Sequence, residues 1–184
     1  MSRLLLLLLA GLAGAADAAG FPPAPAVTGD VWINSAPLSP EQQRGKVLLV
    51  EFWTFGCWNC RNVQPHVKQW HADYADQGLL ILAVHSPEFP REAKIENVKN
   101  YVRDNDIRYP VLVDNDFVTW KRFGNQAWPA LYLIDRAGRI RYSHVGEGAY
   151  AETEREIRQL LAEAALRPAP GKINAPPGNP GVKP

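Results

Sequence analysis

Seven consecutive residues, Val47-Leu48-Leu49-Val50-Glu51-Phe52-Trp53, constrain this chain more than any other feature. A run that is apolar at odd and even positions alike has no face to give to water. It reads as a strand covered on both sides, the situation of a sheet with helices packed on its two faces. From Asn62 the pattern switches. Val63, Val67, Trp70 and Tyr74 fall on one helical stripe that Gly78 ends. Residues 79–84 repeat the buried-strand pattern, Ile95, Val98 and Val102 stripe a helix within 93–104, and 109–113 form a short strand. Residues 130–134 and 139–145 flank Asp135-Arg136-Ala137-Gly138, the composition of a hairpin turn. The last helix, 150–166, buries Ile157, Leu160, Leu161 and Ala164, with Glu154 and Arg158 paired on its wet face. The predicted order is β-α-β, an inserted α-β unit, a short helix, a β-hairpin and a final helix. The fold class is therefore α/β: a mixed sheet with helices on both faces, its parallel strands joined by right-handed crossovers.

The ends of the chain read differently. Arg3, the leucines of residues 4–9 and the small residues that follow match a secretory leader, with Ala16-Asp17-Ala18 at the cleavage position. Residues 1–18 are thus expected to be a cleaved signal peptide that exports the protein to a periplasm or the exterior, an uncleaved anchor being the alternative. Of the 16 prolines, eleven lie outside 46–167. They mark residues 19–26 as a Pro/Ala linker and 168–184 as a disordered Pro/Gly tail, leaving one domain at 27–167. The net charge of +1 lacks the basic excess that nucleic-acid binding requires.

The chain has two cysteines, Cys57 and Cys60, placed where the first buried strand hands over to the first long helix. Helix N-termini favour anions and depress thiol pKa, so Cys57 is positioned to be a thiolate nucleophile. Cys60, one turn on, is within reach to resolve a mixed disulfide formed at Cys57. A zinc site would need two further ligands at suitable spacing, and His66, His71, His85 and His144 are scattered. An inert bridge across so short a loop would constrain the unfolded chain little. Redox exchange is the reading the spacing supports best, with zinc and a structural bridge as alternatives; no cofactor or metal is expected. Glu51 interrupts the apolar strand six positions before Cys57. It is either a half-exposed or paired carboxylate or a desolvated acid that shuttles the Cys60 proton. Trp53 reads as core, whereas Trp58 and Asn59, inside the motif, are expected to meet substrate. His85 reads as a strand-end histidine satisfied by backbone, or as a group that tunes a thiol.

Val50-Glu51-Phe52-Trp53, Cys57-Trp58-Asn59-Cys60-Arg61, Pro65, Val84-His85-Ser86-Pro87-Glu88-Phe89, Tyr109-Pro110-Val111 and Trp128-Pro129-Ala130 together resemble the thioredoxin superfamily. The likeness is to its TlpA-like branch, and most of all to the thioredoxin-like domain of DipZ-type proteins, over roughly 27–166. It implies a thioredoxin fold and dithiol exchange, with Cys57 attacking, Cys60 resolving and Glu51 as the buried acid. Pro129 is then expected to follow a cis peptide bond that exposes the Trp128 backbone to an extended substrate, making Trp128 and Pro129 substrate-binding. The interior of the pair is Trp-Asn, so no redox potential carries over from Gly-Pro thioredoxins. The Gly-x-Pro-Glu insertion of the cytochrome c maturation thioredoxins is absent.

The expected function is an exported thiol–disulfide oxidoreductase, working in the reductive direction on protein disulfide or dithiol substrates. The DipZ resemblance further implies a separate membrane electron-transfer partner. Two alternatives stand beside it. Thr54-x-x-Cys57 echoes a peroxiredoxin nucleophile site, although Val50 occupies the position of that site's proline. A binding module or holdase would use the tryptophans alone.

Overall fold

A computed structural model describes residues 20–166; the leader (1–18) and the tail (168–184) expected from sequence lie outside these residues. Strand β2 (Val47–Trp53) is buried at all seven positions, as its composition requires. It runs parallel to β3 (Leu79–His85), which runs parallel to β4 (Val111–Val113). Antiparallel strands complete both sides: β5 (Ala130–Ile134) against β2, β6 (Ile140–Val145) against β5, and β1 (Trp32–Ile33) against β4. The six-stranded order is β1-β4-β3-β2-β5-β6.

The alternation of β2 sorts the core into two layers. Val47, Leu49 and Trp53 join Ile81, Ala83, Leu131 and Leu133 beneath α2 (Trp58–Tyr74), α3 (Ile95–Asp104) and α5 (Tyr150–Leu166), which contribute Val67, Val98 and Ile157. Leu48, Val50 and Phe52 face the opposite way with Leu82, Val84 and Ala130. That layer is closed by Val27 and by Trp120 of the short helix α4 (Val118–Arg122), with Leu38 just before α1 (Pro40–Gln43) packed against it. Phe52 anchors this second layer. It is fully buried and meets Trp120, Phe123 and Tyr132 edge-on at centroid distances of 5.7, 5.2 and 5.8 Å. Phe52→Ala is expected to cost about 3–5 kcal/mol of stability, read as a lower midpoint in urea unfolding of the oxidised protein.

Local chemistry explains the element ends. The helical stripe continues through Tyr74 into a single 3₁₀ turn (Ala75–Gln77), and Gly78 stops it at φ 103°, a backbone that glycine adopts without strain. The hairpin turn is held by Asp135, whose carboxylate accepts the Ala137 and Arg139 amides while Gly138 takes φ 78°. Residues 21–24 of the Pro-rich lead-in lie against this hairpin. Pro22 O accepts the Ile140 amide at 2.9 Å, the Ala24 amide donates to Gly138 O at 2.8 Å, and Pro23 bridges Arg139. They cover the start of an edge strand that would otherwise offer its amides to another chain.

Candidate functional site

The loop leaving β2 delivers Cys57 to the N-cap of α2, where its Sγ accepts the Cys60 amide at 3.1 Å. Cys57 and Cys60 are joined in a disulfide with Cα atoms 5.3 Å apart. The two sulfurs sit in different environments. Cys57 is half-buried, flanked by exposed Trp58 (72% exposed) and Asn59, whereas Cys60 is 2% exposed and packed in the layer under α2. A sulfur arriving from solvent therefore meets Cys57, and the unsatisfied amides and dipole of the first turn favour a thiolate there.

Glu51 lies on the face of β2 that carries this layer, between Leu49 and Trp53, with Ala83 and Leu131 beside it on the neighbouring strands. None of those four side chains gives the carboxylate a hydrogen bond or a charge, and the Trp53 indole N–H is itself buried without a partner among the described residues. Burial alone pushes the Glu51 carboxyl up to about 8. Glu51 is thus neither half-exposed nor ion-paired but buried and desolvated.

The Trp128–Pro129 peptide is cis. Pro129 is buried and directly precedes β5, one step beyond the Phe52–Ala130 register pair, at the end of the sheet from which the cysteine loop departs. The Pro129 carbonyl accepts the Gly146 amide at 2.8 Å. Trp128 is half-buried, its ring 4.4 Å from that of Trp120, so much of it serves the second core layer rather than a surface rim. Trp53 is buried.

His85 has a side-chain partner that the sequence did not indicate: Nε2 lies 3.3 Å from Thr54 Oγ1, and its ring packs edge-on to Trp53 and parallel to Phe55. Full burial drives the imidazole down to about 4 despite the nearby Glu92 carboxylate, so it is neutral at pH 7. Thr54 Oγ1 in turn donates to Glu92 Oε2 at 2.6 Å. Glu92, fully buried in the loop after β3, had no sequence signal; it reads there as one charge among Glu88, Arg91 and Lys94. Among the described residues no cluster of three or more His, Cys, Asp or Glu side chains is arranged to hold a metal ion.

A mixed six-stranded sheet with a helix-capping Cys-x-x-Cys and a cis-proline at the same end of the sheet is a thioredoxin-like protein, and solved structures agree. A thiol-disulfide isomerase from Corynebacterium glutamicum superposes with a TM-score of 0.70 at 26% identity, over 78% of this chain and 97% of that one. The AhpC/TSA family model matches residues 23–143, and the chain belongs to that family. Among relatives, Protein DipZ of Mycobacterium tuberculosis is 41% identical over 136 residues, 72% of this chain. The chain spans 20% of that relative's length. Thiol-disulfide oxidoreductase YkuV of Bacillus subtilis is 32% identical over 143 residues, covering 77% of this chain and 95% of YkuV.

Proposed function

We propose that this protein is an exported thiol–disulfide oxidoreductase that reduces disulfides in other proteins. The observation that carries the reading is the asymmetry of the pair: an accessible Cys57 sulfur capping α2, bonded to a buried Cys60. In the reductive direction the Cys57 thiolate attacks one sulfur of the substrate disulfide, and the other sulfur leaves as a thiolate. Cys60 passes its proton to Glu51 and attacks Cys57 Sγ. The second substrate sulfur leaves, and the pair is oxidised by two electrons. A dithiol donor returns those electrons; the resemblance of the sequence to DipZ-type proteins implies a separate membrane electron-transfer protein in that role. Trp58 and Asn59 border the attacking sulfur, and the Trp128 backbone, before the cis-proline, offers an extended substrate a strand-like edge. The leader-like residues 1–18 support export, and the domain boundaries at 27 and 167 follow from the same composition.

The peroxidase alternative leans on Thr54, but its hydroxyl is committed to Glu92 and faces His85, both fully buried. The test is cleavage of a model disulfide by the reduced protein. The wild type is expected to cleave it and Cys57→Ser is not. Equal cleavage by both would end the reading, and hydrogen peroxide consumed faster than disulfide would favour the peroxidase. A holdase would suppress aggregation of an unfolded client equally well as Cys57→Ser.

A further inference from the structure

We infer that Glu92 is a positioning residue of the dithiol: acting through Thr54, it fixes the turn that carries Cys57 to the start of α2. The inference deepens the oxidoreductase reading and rests on it.

Thr54 is the first residue beyond β2, and its two ends do different things. Its carbonyl accepts the Cys57 amide at 3.3 Å, closing the turn 54–57, while its hydroxyl is anchored in the interior on Glu92 Oε2. The same Oε2 accepts the amides of Glu88 at 2.8 Å and Phe89 at 3.2 Å, and the Glu92 amide donates to Phe89 O at 2.9 Å. One carboxylate oxygen thus ties the loop after β3 to the loop after β2. Burying a carboxylate without such partners would cost several kcal/mol, so the surroundings are built to hold it.

The second oxygen, Oε1, is buried and has no hydrogen-bond partner among the described residues. It lies against Gly56. A Cβ at position 56 would land on Oε1 and come within 2.9 Å of Glu92 Cδ. Gly56 does not have a positive φ, so glycine is needed there for space: the carboxyl occupies the volume that any side chain just before Cys57 would take. The other polar and charged groups at this turn are His85 on Thr54, Arg61, whose Nε donates to Phe55 O at 3.0 Å, and Arg91 beside Gly56.

The consequence for chemistry follows from distance. A helix terminus stabilises a thiolate only within its first turn and only when the sulfur faces the free amides. A turn released from Glu92 no longer holds Cys57 Sγ against the Cys60 amide, and the thiolate loses its stabilisation.

The experiment titrates the Cys57 thiol of the reduced full-length protein by pH-dependent alkylation, alongside thermal unfolding. Thr54→Val and Glu92→Ala are each expected to raise the Cys57 pKa by about one unit, and the double variant by little more than either alone. With the depression of about two units that a helix terminus gives, a one-unit rise cuts the thiolate at neutral pH about threefold and the higher nucleophilicity returns about as much, so the titration and not the rate is the readout. Thr54→Ser and Glu92→Gln keep the hydroxyl and the acceptor and are expected to titrate like the wild type. A lower Tm with the Cys57 titration unmoved would overturn the inference, leaving Glu92 a purely structural anchor. So would a Glu92→Gln titration that moves as far as Glu92→Ala, because charge and not acceptance would then be at work. If Glu92→Ala does not fold, the Thr54→Val and Thr54→Ser pair decides. The titration involves no turnover, so a wild type that cleaves no disulfide would sink the oxidoreductase reading without deciding this one.

Discussion

Cys60→Ser, reduced and mixed with a disulfide-containing protein, is expected to stop at a stable mixed disulfide on Cys57. Turnover should fall by on the order of 10³-fold or more, because the second displacement has lost its nucleophile. The first displacement should survive. Cys57 is half-buried at the N-cap of α2, its sulfur in contact with the first-turn amide of Cys60, and serine at 60 leaves that amide in place. If the helix terminus lowers the thiol pKa by about two units, it contributes about 2.7 kcal/mol in favour of the thiolate, enough to keep Cys57 reactive at neutral pH. The converse variant should behave differently. In Cys57→Ser the remaining sulfur is only 2% exposed and belongs to the core layer with Val63 and Val67, so neither adduct nor turnover is expected. Intact-mass measurement under non-reducing conditions distinguishes the two: one substrate adduct per chain for Cys60→Ser and none for Cys57→Ser. Adducts forming at similar rates on both would mean that the disulfide is attacked from either side and that the proposed order is wrong.

The legible parts of this molecule were those where burial imposes a period. β2 and β3 announce themselves because both faces are covered, and α2 and α5 because one stripe is. The hairpin was legible in the chemistry of Asp135 and Gly138. Shorter pieces escaped. β1 is a two-residue strand, Trp32–Ile33, with no room for alternation, and α1 spans four residues. The Ser39–Gln42 capping box of α1 is present in sequence, but a box without an apolar stripe behind it does not stand out. The start of α4 was hidden differently, since Phe117 precedes it at φ 58°, where a bulky residue is not expected.

The candidate site divides along the same line. The cysteines and Glu51 are visible because they violate or punctuate a pattern within one stretch of chain. The cis-proline was visible only through resemblance. Glu92 was invisible because its meaning depends on a loop 38 residues from Thr54 folding under the cysteine turn. Nothing in Glu88-Phe89-Pro90-Arg91-Glu92 separates the buried carboxylate from the exposed one. Gly56 is the trace it leaves in the sequence, and a lone glycine in a loop is too common to point to a carboxylate packed against it.

Glu51→Gln is expected to stabilise the oxidised protein increasingly as pH rises while slowing the reduced one. The sign follows from the proton. Below the ordinary carboxyl value of 4.5, folded and unfolded chains both hold it, and the full stability of the wild type is present. Between 4.5 and about 8 the unfolded chain releases the proton and the folded chain keeps it, so rising pH favours unfolding by about 1.4 kcal/mol per unit. By pH 7 the loss is roughly 3 kcal/mol, and by pH 8 roughly 4 kcal/mol. Glutamine does not titrate, so urea midpoints of the variant and wild type should lie at a fixed offset below pH 4.5 and shift steadily in the variant's favour above it. The amide must still be buried, a constant penalty of roughly 1–3 kcal/mol that sets that offset without changing the slope. Catalytically the same substitution removes the only ionisable side chain buried on the Cys60 face of β2. A group titrating near 8 is available in both protonation states close to neutrality, which suits it to take the Cys60 proton as that sulfur attacks. The mixed disulfide of Glu51→Gln should therefore last about ten to a hundred times longer than that of the wild type, with formation at Cys57 little changed. Parallel stability curves would place the Glu51 proton in solvent exchange at ordinary acidity, and an unchanged mixed-disulfide lifetime would remove Glu51 from the reaction.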